Sequence, residues 1–248
     1  MDMMSKDEYA NHNRAHGEID ALMTGTTVSD VLTYYPIETV QMYHKGSEEH
    51  AGVYSDQEIA CWNSVKNLTV DFANAKVSYD YIDFNLLSKC KVVDGKIVTD
   101  RGRTYNAIVF PVAEYTKELT EVIEKLVKDG AVVKGVKNQL FSAIDFIDLY
   151  DTEKELIANL DRTNFAVSYS EDNGRLAVLA RDTDSGRAYM LVNCDKEDKE
   201  VNLTIAGIDN PKLYCPLLGK EIDAKITKEG KGVNLKFTIR DRDTIIIK

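Results

Sequence analysis

The sequence predicts an α/β protein: a doubly wound parallel sheet followed by a smaller antiparallel β-sandwich. Three observations carry this. From residue 28 to about 137, short apolar runs alternate with amphipathic helical stretches, the β-α-β-α-β order that builds a parallel sheet with helices on both faces. Beyond about residue 162 the helices stop, and seven short strand-like runs follow one another between turn residues. The length, 248 residues, suits one large domain or two small ones.

The elements follow in order. Residues 31–35 form a short apolar strand that Pro36 ends, because proline cannot extend the hydrogen-bond ladder. Residues 55–74 are the strongest helix. Ser55 and Glu58 match a capping box, and Ile59, Trp62, Val65, Leu68 and Phe72 recur at spacings of three and four. Residues 76–82 alternate as a half-exposed strand with Val77, Tyr79 and Tyr81 on one face. A short helix is expected over 84–88. Asp94-Gly95 between two β-branched runs predicts a hairpin over 91–98. The continuous apolar run 106–111 suits a strand buried on both faces. Thr116 caps a helix whose inner side carries Leu119, Val122, Ile123 and Leu126, and Gly130 is its C′ residue. A strand over 131–136 follows, and 137–162 reads as a helical connector. The later strands are expected at 165–170, 175–182, 187–194, 200–207, 212–218, 233–239 and 243–248, with turns at Asp172-Asn173-Gly174 and Asp184-Ser185-Gly186. Residues 1–27 are polar and helical, which gives three consecutive parts: 1–27, 28–162 and 163–248.

Charge narrows the partners. A formal net charge of -10, with no Lys/Arg cluster, disfavours nucleic acid and anionic membranes. No run of eighteen apolar residues occurs and the N-terminus lacks a signal-peptide core, so a cytoplasmic location is expected. The four cysteines, Cys61, Cys90, Cys194 and Cys215, are widely spaced and read as free thiols rather than zinc ligands or a disulfide framework. Neither a metal nor a cofactor is expected. The turn at 34–41 has no glycine, so neither a dinucleotide fingerprint nor a phosphate-cradling loop can form there.

Candidate chemistry belongs at the carboxyl ends of the parallel strands. A cysteine hydrolase needs its thiol on a strand-to-helix elbow with a histidine downstream, but His12, His16, His44 and His50 all precede every cysteine. His12 and His16 stand i, i+4 without the glutamate of a zinc-protease helix, which a solvated helix face explains as well. Asp80 and Asp83 could pair as acid and base, but Asp83 fits an N-cap better. Trp62 could stack on a sugar, but its helical register fits core packing better. Glu38 has two open readings, a first-turn charge favoured by the helix dipole or a group aimed at a neighbouring site. Tyr35, Pro36, Glu38 and Asp83 are therefore the candidate substrate or domain contacts, with Glu38 expected in solvent. No catalytic residue is assigned.

The order of these motifs carries a resemblance. Residues 30–40, "DVLTYYPIETV", then "VSYDYIDFNLL", the "VVDGKIV" hairpin with "YNAIVFP", and "DGAVV" resemble the region after the catalytic barrel in large bacterial glycoside hydrolases of the α-L-rhamnosidase type. The ending, "GRAYMLVNCDKEDKEVNLTI" through "DRDTIIIK", is similar to the β-sandwich that follows there. The resemblance covers residues 18–248. It implies a flavodoxin-like domain, similar to the trimerisation domain of some β-galactosidases and to class I glutamine amidotransferases without their catalytic residues. A barrel takes about 250 residues by itself, and the catalytic carboxylates of a glycosidase would sit on it. The expectation is a non-catalytic accessory region, inactive as this isolated chain, whose partner is a glycosidase barrel in cis or in trans. Residues 1–27 would be the barrel's last helix. A stand-alone carbohydrate-binding or protein-interaction module is the alternative.

Overall fold

The structure, a computed structural model, describes residues 5–46, 54–171 and 175–248. The chain forms two compact units: Ser29–Asp161, and a second built from Met1–Val28 with Arg162–Lys248. The Asp172-Asn173-Gly174 turn and His50 lie outside the described residues.

The chain opens with helix α1 (Lys6–Met23) and strand β1 (Thr26–Val28). Ser5 and Glu8 close a capping box at the start of α1. The Ser29–Asp161 unit then contains β2 (Val31–Tyr34), α2 (Ile37–Tyr43), α3 (Asp56–Ala75), β3 (Tyr79–Ile82), α4 (Phe84–Leu87), β4 (Lys91–Val93), β5 (Lys96–Val98), β6 (Thr104–Tyr105), β7 (Ala107–Phe110), α5 (Lys117–Lys128), β8 (Val133–Val136), β9 (Asp148–Tyr150) and α6 (Glu153–Ala158). Five strands make a sheet in the order β3-β2-β7-β8-β9, with every pair parallel. Numbered along the chain, that order is 2-1-3-4-5.

β2 and β7 are buried at every position, as continuous apolar runs in a sheet covered on both faces must be. Leu32, Tyr34, Ile108 and Phe110 form one core with Leu119, Ile123 and Leu126 of α5. The alternating positions face the other side, where α3 packs on α6, which also touches β8 and β9. β4, β5 and β6 form a small antiparallel sheet. Its hairpin turns on Asp94 at φ 50° and Gly95 at φ 74°, the left-handed pair that a type I′ turn needs.

Two sequence expectations fail in this unit. Residues 137–162 are not a helical connector, because they contain the fifth parallel strand, β9, before the short α6. Three residues are too few to display a period of two. The inward face of α3 is also rotated from the expected stripe. Cys61, Ser64, Val65, Leu68 and Phe72 are buried with Glu58, while Ile59 is 45% exposed and Trp62 only half-buried.

After α6 the chain forms β10 (Val167–Ser170), β11 (Leu176–Thr183), β12 (Gly186–Asn193), β13 (Lys199–Ala206), β14 (Leu213–Cys215), β15 (Lys220–Ile222), β16 (Lys225–Glu229), β17 (Gly232–Ile239) and β18 (Thr244–Ile247). These make two antiparallel sheets, β1-β11-β12-β18-β14-β15 and β10-β13-β17-β16. Their inner faces share one core, with Tyr189, Leu191, Ile245 and Ile247 from the first sheet and Leu203, Ile205, Leu235 and Ile239 from the second. Tyr189 spans the core, its hydroxyl within hydrogen-bond distance of the carbonyls of Ala166 and Ala206. Asn193 ends β12, and its buried amide donates to the carbonyls of Glu197 and Arg240. The sequence reading missed β15 and β16, whose Lys- and Glu-rich residues carry little apolar signal.

Residues 1–27 were expected to stand apart. In the structure β1 pairs with β11, and Ile19, Leu22 and Met23 of α1 cluster with Leu179, Ala188, Met190 and Ile246. Glu18 accepts a hydrogen bond from the Tyr214 hydroxyl at 2.7 Å, and Arg14 donates to the Pro216 carbonyl at 3.0 Å. No helix among the described residues is long and apolar enough to cross a membrane.

Candidate functional site

At the carboxyl ends of β2, β3 and β7 stand Tyr34, the last residue of β2, Tyr35, Glu38 in the first turn of α2, Asp83 after β3, and Glu114 in the loop after β7. Pro36 ends β2 and stands as N-cap of α2 without a side-chain cap bond, so the chain turns within two residues. Glu38 falls in the first turn of α2, where the helix dipole favours a carboxylate. It is half-buried rather than free in solvent. Its Oε2 accepts a hydrogen bond of 2.9 Å from the hydroxyl of Tyr34, a residue only 1% exposed. This corrects the expectation of a solvated Glu38: the buried hydroxyl needs an acceptor, and the carboxylate one turn along supplies it.

Burial, then Glu38, then the charge of Asp83 raise the Tyr34 hydroxyl far above the ordinary tyrosine range, so it stays protonated and donates to Glu38. Asp83 caps α4, accepting from the Leu86 N–H at 2.9 Å. The structure thus gives each of the two carboxylates a structural partner, Tyr34 for Glu38 and the start of α4 for Asp83.

Tyr35 is held by its backbone N–H to the Ile82 carbonyl at 2.8 Å. Its half-buried ring lies 5.6 Å from both Trp62 and Tyr81, centroid to centroid. The run continues from Tyr81 to Tyr79 and Phe72. Trp62 therefore belongs to an aromatic row along β3 and α3 rather than to the inner core. Asp80 points away from that row, as alternation requires, and accepts from Tyr105 and Arg103.

Two further pairings escaped the sequence reading. The Thr39 hydroxyl accepts from the Glu114 N–H at 3.1 Å, and the Tyr43 hydroxyl donates to the Glu114 carboxylate at 3.1 Å, which ties α2 to the loop after β7. His44 Nδ1 lies 2.8 Å from Oε1 of Glu58, whose side chain is buried. The Ser55 backbone N–H first, and His44 next, hold the Glu58 carboxyl below its ordinary value. The capping box was legible; its histidine neighbour was not, because the approach of His44 is tertiary.

Chemically these loops can accept hydrogen bonds and present a carboxylate in a fixed direction. Burial pushes the Cys61 thiol up to about 12 and the Cys90 thiol up to about 11, so both stay protonated near neutrality and are poor nucleophiles. Among the described residues no group of three or more His, Cys, Asp or Glu side chains could hold a metal ion. His12 and His16 are exposed on α1 with rings 6.2 Å apart.

No protein-family model matches the chain. A protein of Formosa agariphila named "Putative beta-glucuronidase" is 28% identical over 145 residues, which cover 50% of this chain and 12% of that protein. Among solved structures, a rhamnosidase from Novosphingobium sp. PP1Y superimposes with a TM-score of 0.61 at 17% identity, over 90% of this chain and 23% of that one. A β-galactosidase from Bacillus circulans sp. alkalophilus gives 0.58 at 12% identity, over 96% and 44%. An α-L-fucosidase isoenzyme from Paenibacillus thiaminolyticus gives 0.56 at 9% identity, over 99% and 53%. The chain thus spans about an eighth of the curated relative and a quarter to a half of these enzymes. It shares its fold with regions of glycoside hydrolases.

Proposed function

We propose that this chain is a non-catalytic accessory region of a glycoside hydrolase, acting in carbohydrate degradation by supporting or docking a catalytic barrel. One observation carries the reading: a likeness over nine-tenths or more of this chain accounts for only 23% to 53% of the rhamnosidase, β-galactosidase and fucosidase chains. We read the Ser29–Asp161 unit as flavodoxin-like, a reading supported by its all-parallel 2-1-3-4-5 strand order. The class I amidotransferase-like reading, without a nucleophile, is supported by the buried, protonated state of Cys61 within α3. The loops carrying Tyr35, Pro36, Glu38 and Asp83 are the surface we assign to barrel contact, since doubly wound sheets place their functional loops at that end.

The test uses the Formosa relative. That protein, expressed without the 145-residue matching stretch, is assayed alone and with this chain added. The chain should raise that truncated protein's thermal midpoint or activity, and by itself should turn over no aryl glucuronide, rhamnoside, galactoside or fucoside. Turnover by the purified chain that disappears in Glu38→Gln or Asp83→Asn would overturn the non-catalytic role.

A further inference from the structure

The outer face of the sheet β10-β13-β17-β16 is not an ordinary solvated surface. Strand register sets Tyr169, Thr204, Asn234 and Thr227 in one row directly across all four strands. A second row runs beside it through Asn202, Lys236 and Lys225. Between them lies a cleft of about 370 Å³, within the size range of small-molecule sites.

Its floor is polar and buried. Asn234 is 7% exposed, and its amide nitrogen gives both hydrogens away, to Asn202 Oδ1 at 2.9 Å and Thr204 Oγ1 at 3.0 Å. Thr204 in turn donates to Glu229 at 2.9 Å, and Asn202 to Glu171 at 2.8 Å. This chain of bonds fixes the Asn234 amide, whose oxygen has no donor among the described residues. At one end Tyr169 is 45% exposed, with its hydroxyl donated to Glu171. At the other, Lys225 and Lys236, paired across β16 and β17 on this face, line the cleft with neither an ion pair nor a hydrogen bond among the described residues. The two lysines on this face thus outnumber the one lining carboxylate, that of Glu229, in a chain whose net charge is -10.

We propose that this cleft binds the end of an oxyanion-bearing saccharide, with Tyr169 stacking on the C–H face of the sugar, Asn234 accepting from a hydroxyl, and Lys225 and Lys236 taking the anion. An exposed tyrosine ring offers an apolar face that a pyranose can cover. Ammonium groups without partners favour an oxyanion through charge-assisted bonds. A long polyanion would meet the acidic remainder of the molecule, which favours a short anionic end instead. The inference rests on the carbohydrate reading above for its ligand class and requires no barrel.

The experiment titrates the purified full chain by calorimetry with cellobiose, its uronic acid and its 6-sulfate, with inorganic tripolyphosphate as control. At least one anionic sugar should bind roughly tenfold tighter than cellobiose, the size of one or two charge-assisted hydrogen bonds. The two anionic arms separate carboxylate from sulfate recognition. In the Lys225→Ala/Lys236→Ala double variant the anionic sugars should fall to the affinity of cellobiose. Tyr169→Ala should weaken all three sugars several-fold. Unchanged thermal midpoints show that both variants fold, and a variant that melts early is replaced by Lys225→Gln/Lys236→Gln or Tyr169→Leu. Absence of saccharide binding, equal affinity for neutral and anionic sugars, or equal binding of tripolyphosphate overturns the proposal. These outcomes leave the barrel-docking result untouched, so either reading can fail without the other.

Discussion

Glu38 shows how one hydrogen bond changes the expected effect of a substitution. An exposed first-turn glutamate would cost no more than about 0.5 kcal/mol on replacement by alanine. Here Glu38→Ala strands the buried Tyr34 hydroxyl, so the loss should be about 1–3 kcal/mol, read as a shift in the urea midpoint. Tyr34→Phe removes donor and desolvation cost together and should cost less. The double variant should resemble Tyr34→Phe more than the sum, because the two residues share one bond. Additive losses would show that Glu38 stabilises α2 by its charge alone. Glu58 yields a pH dependence. Its folded carboxyl lies below the ordinary value of 4.5, so its contribution is complete above that value and fades as the pH falls through the folded value. Glu58→Gln should flatten the acid limb of the stability profile below pH 4.5, relative to the wild type.

At the scale of the element, α3 is the informative case. Its hydropathy pattern suggests a face through Ile59, Trp62 and Val65, but the helix buries Glu58, Cys61 and Ser64 beside Val65 and leaves Ile59 and Trp62 outside the inner face. Glu58 can be buried because the Ser55 cap and His44 satisfy its carboxylate. Ser64 can be buried because its hydroxyl accepts the Val112 N–H at 3.0 Å. Hydropathy counts such residues as polar and cannot foresee their partners. Leu68→Ala should therefore cost about 2–5 kcal/mol as a buried truncation, while Ile59→Ala should stay within about 0.5 kcal/mol. Thermal unfolding of the two variants decides the phase of the helix; equal losses would restore the original stripe. Elements specified by local chemistry were fully legible: the Ser55 capping box, the Asp94-Gly95 turn, the Thr116 cap and the Asp83 cap all stand where local rules put them.

At the scale of the molecule, the sandwich unit is assembled from both ends of the chain. Met23 of α1 and the pairing of β1 with β11 close a surface over Ala188 and Ile246. Residues 162–248 expressed without 1–28 should expose that surface and unfold more readily or aggregate, whereas 29–161 should fold alone. Circular dichroism melts of the two fragments check this, and adding a peptide of residues 1–28 should restore the melt of 162–248. A fragment 162–248 as stable as the whole chain would mean that α1 and β1 only decorate the sandwich.

By itself the sequence determined the alternation of strands and helices up to β8, the change to strands after residue 162, the caps and the hairpin. These depend on neighbours within a few positions, and period and turn chemistry report them directly. It also pointed to the turn after β2, because Pro36 and Glu38 stand next to each other in the chain. Tertiary structure alone decided that residues 1–28 join the sandwich, that β9 completes the parallel sheet, and that β16 forms one side of a cleft. It also decided that Glu38 serves Tyr34 and that His44 meets Glu58. The Glu38–Tyr34 bond spans four residues but follows from the burial of Tyr34 in the folded sheet; the others bring together groups distant in the chain, and pairing across such distances leaves no period in it.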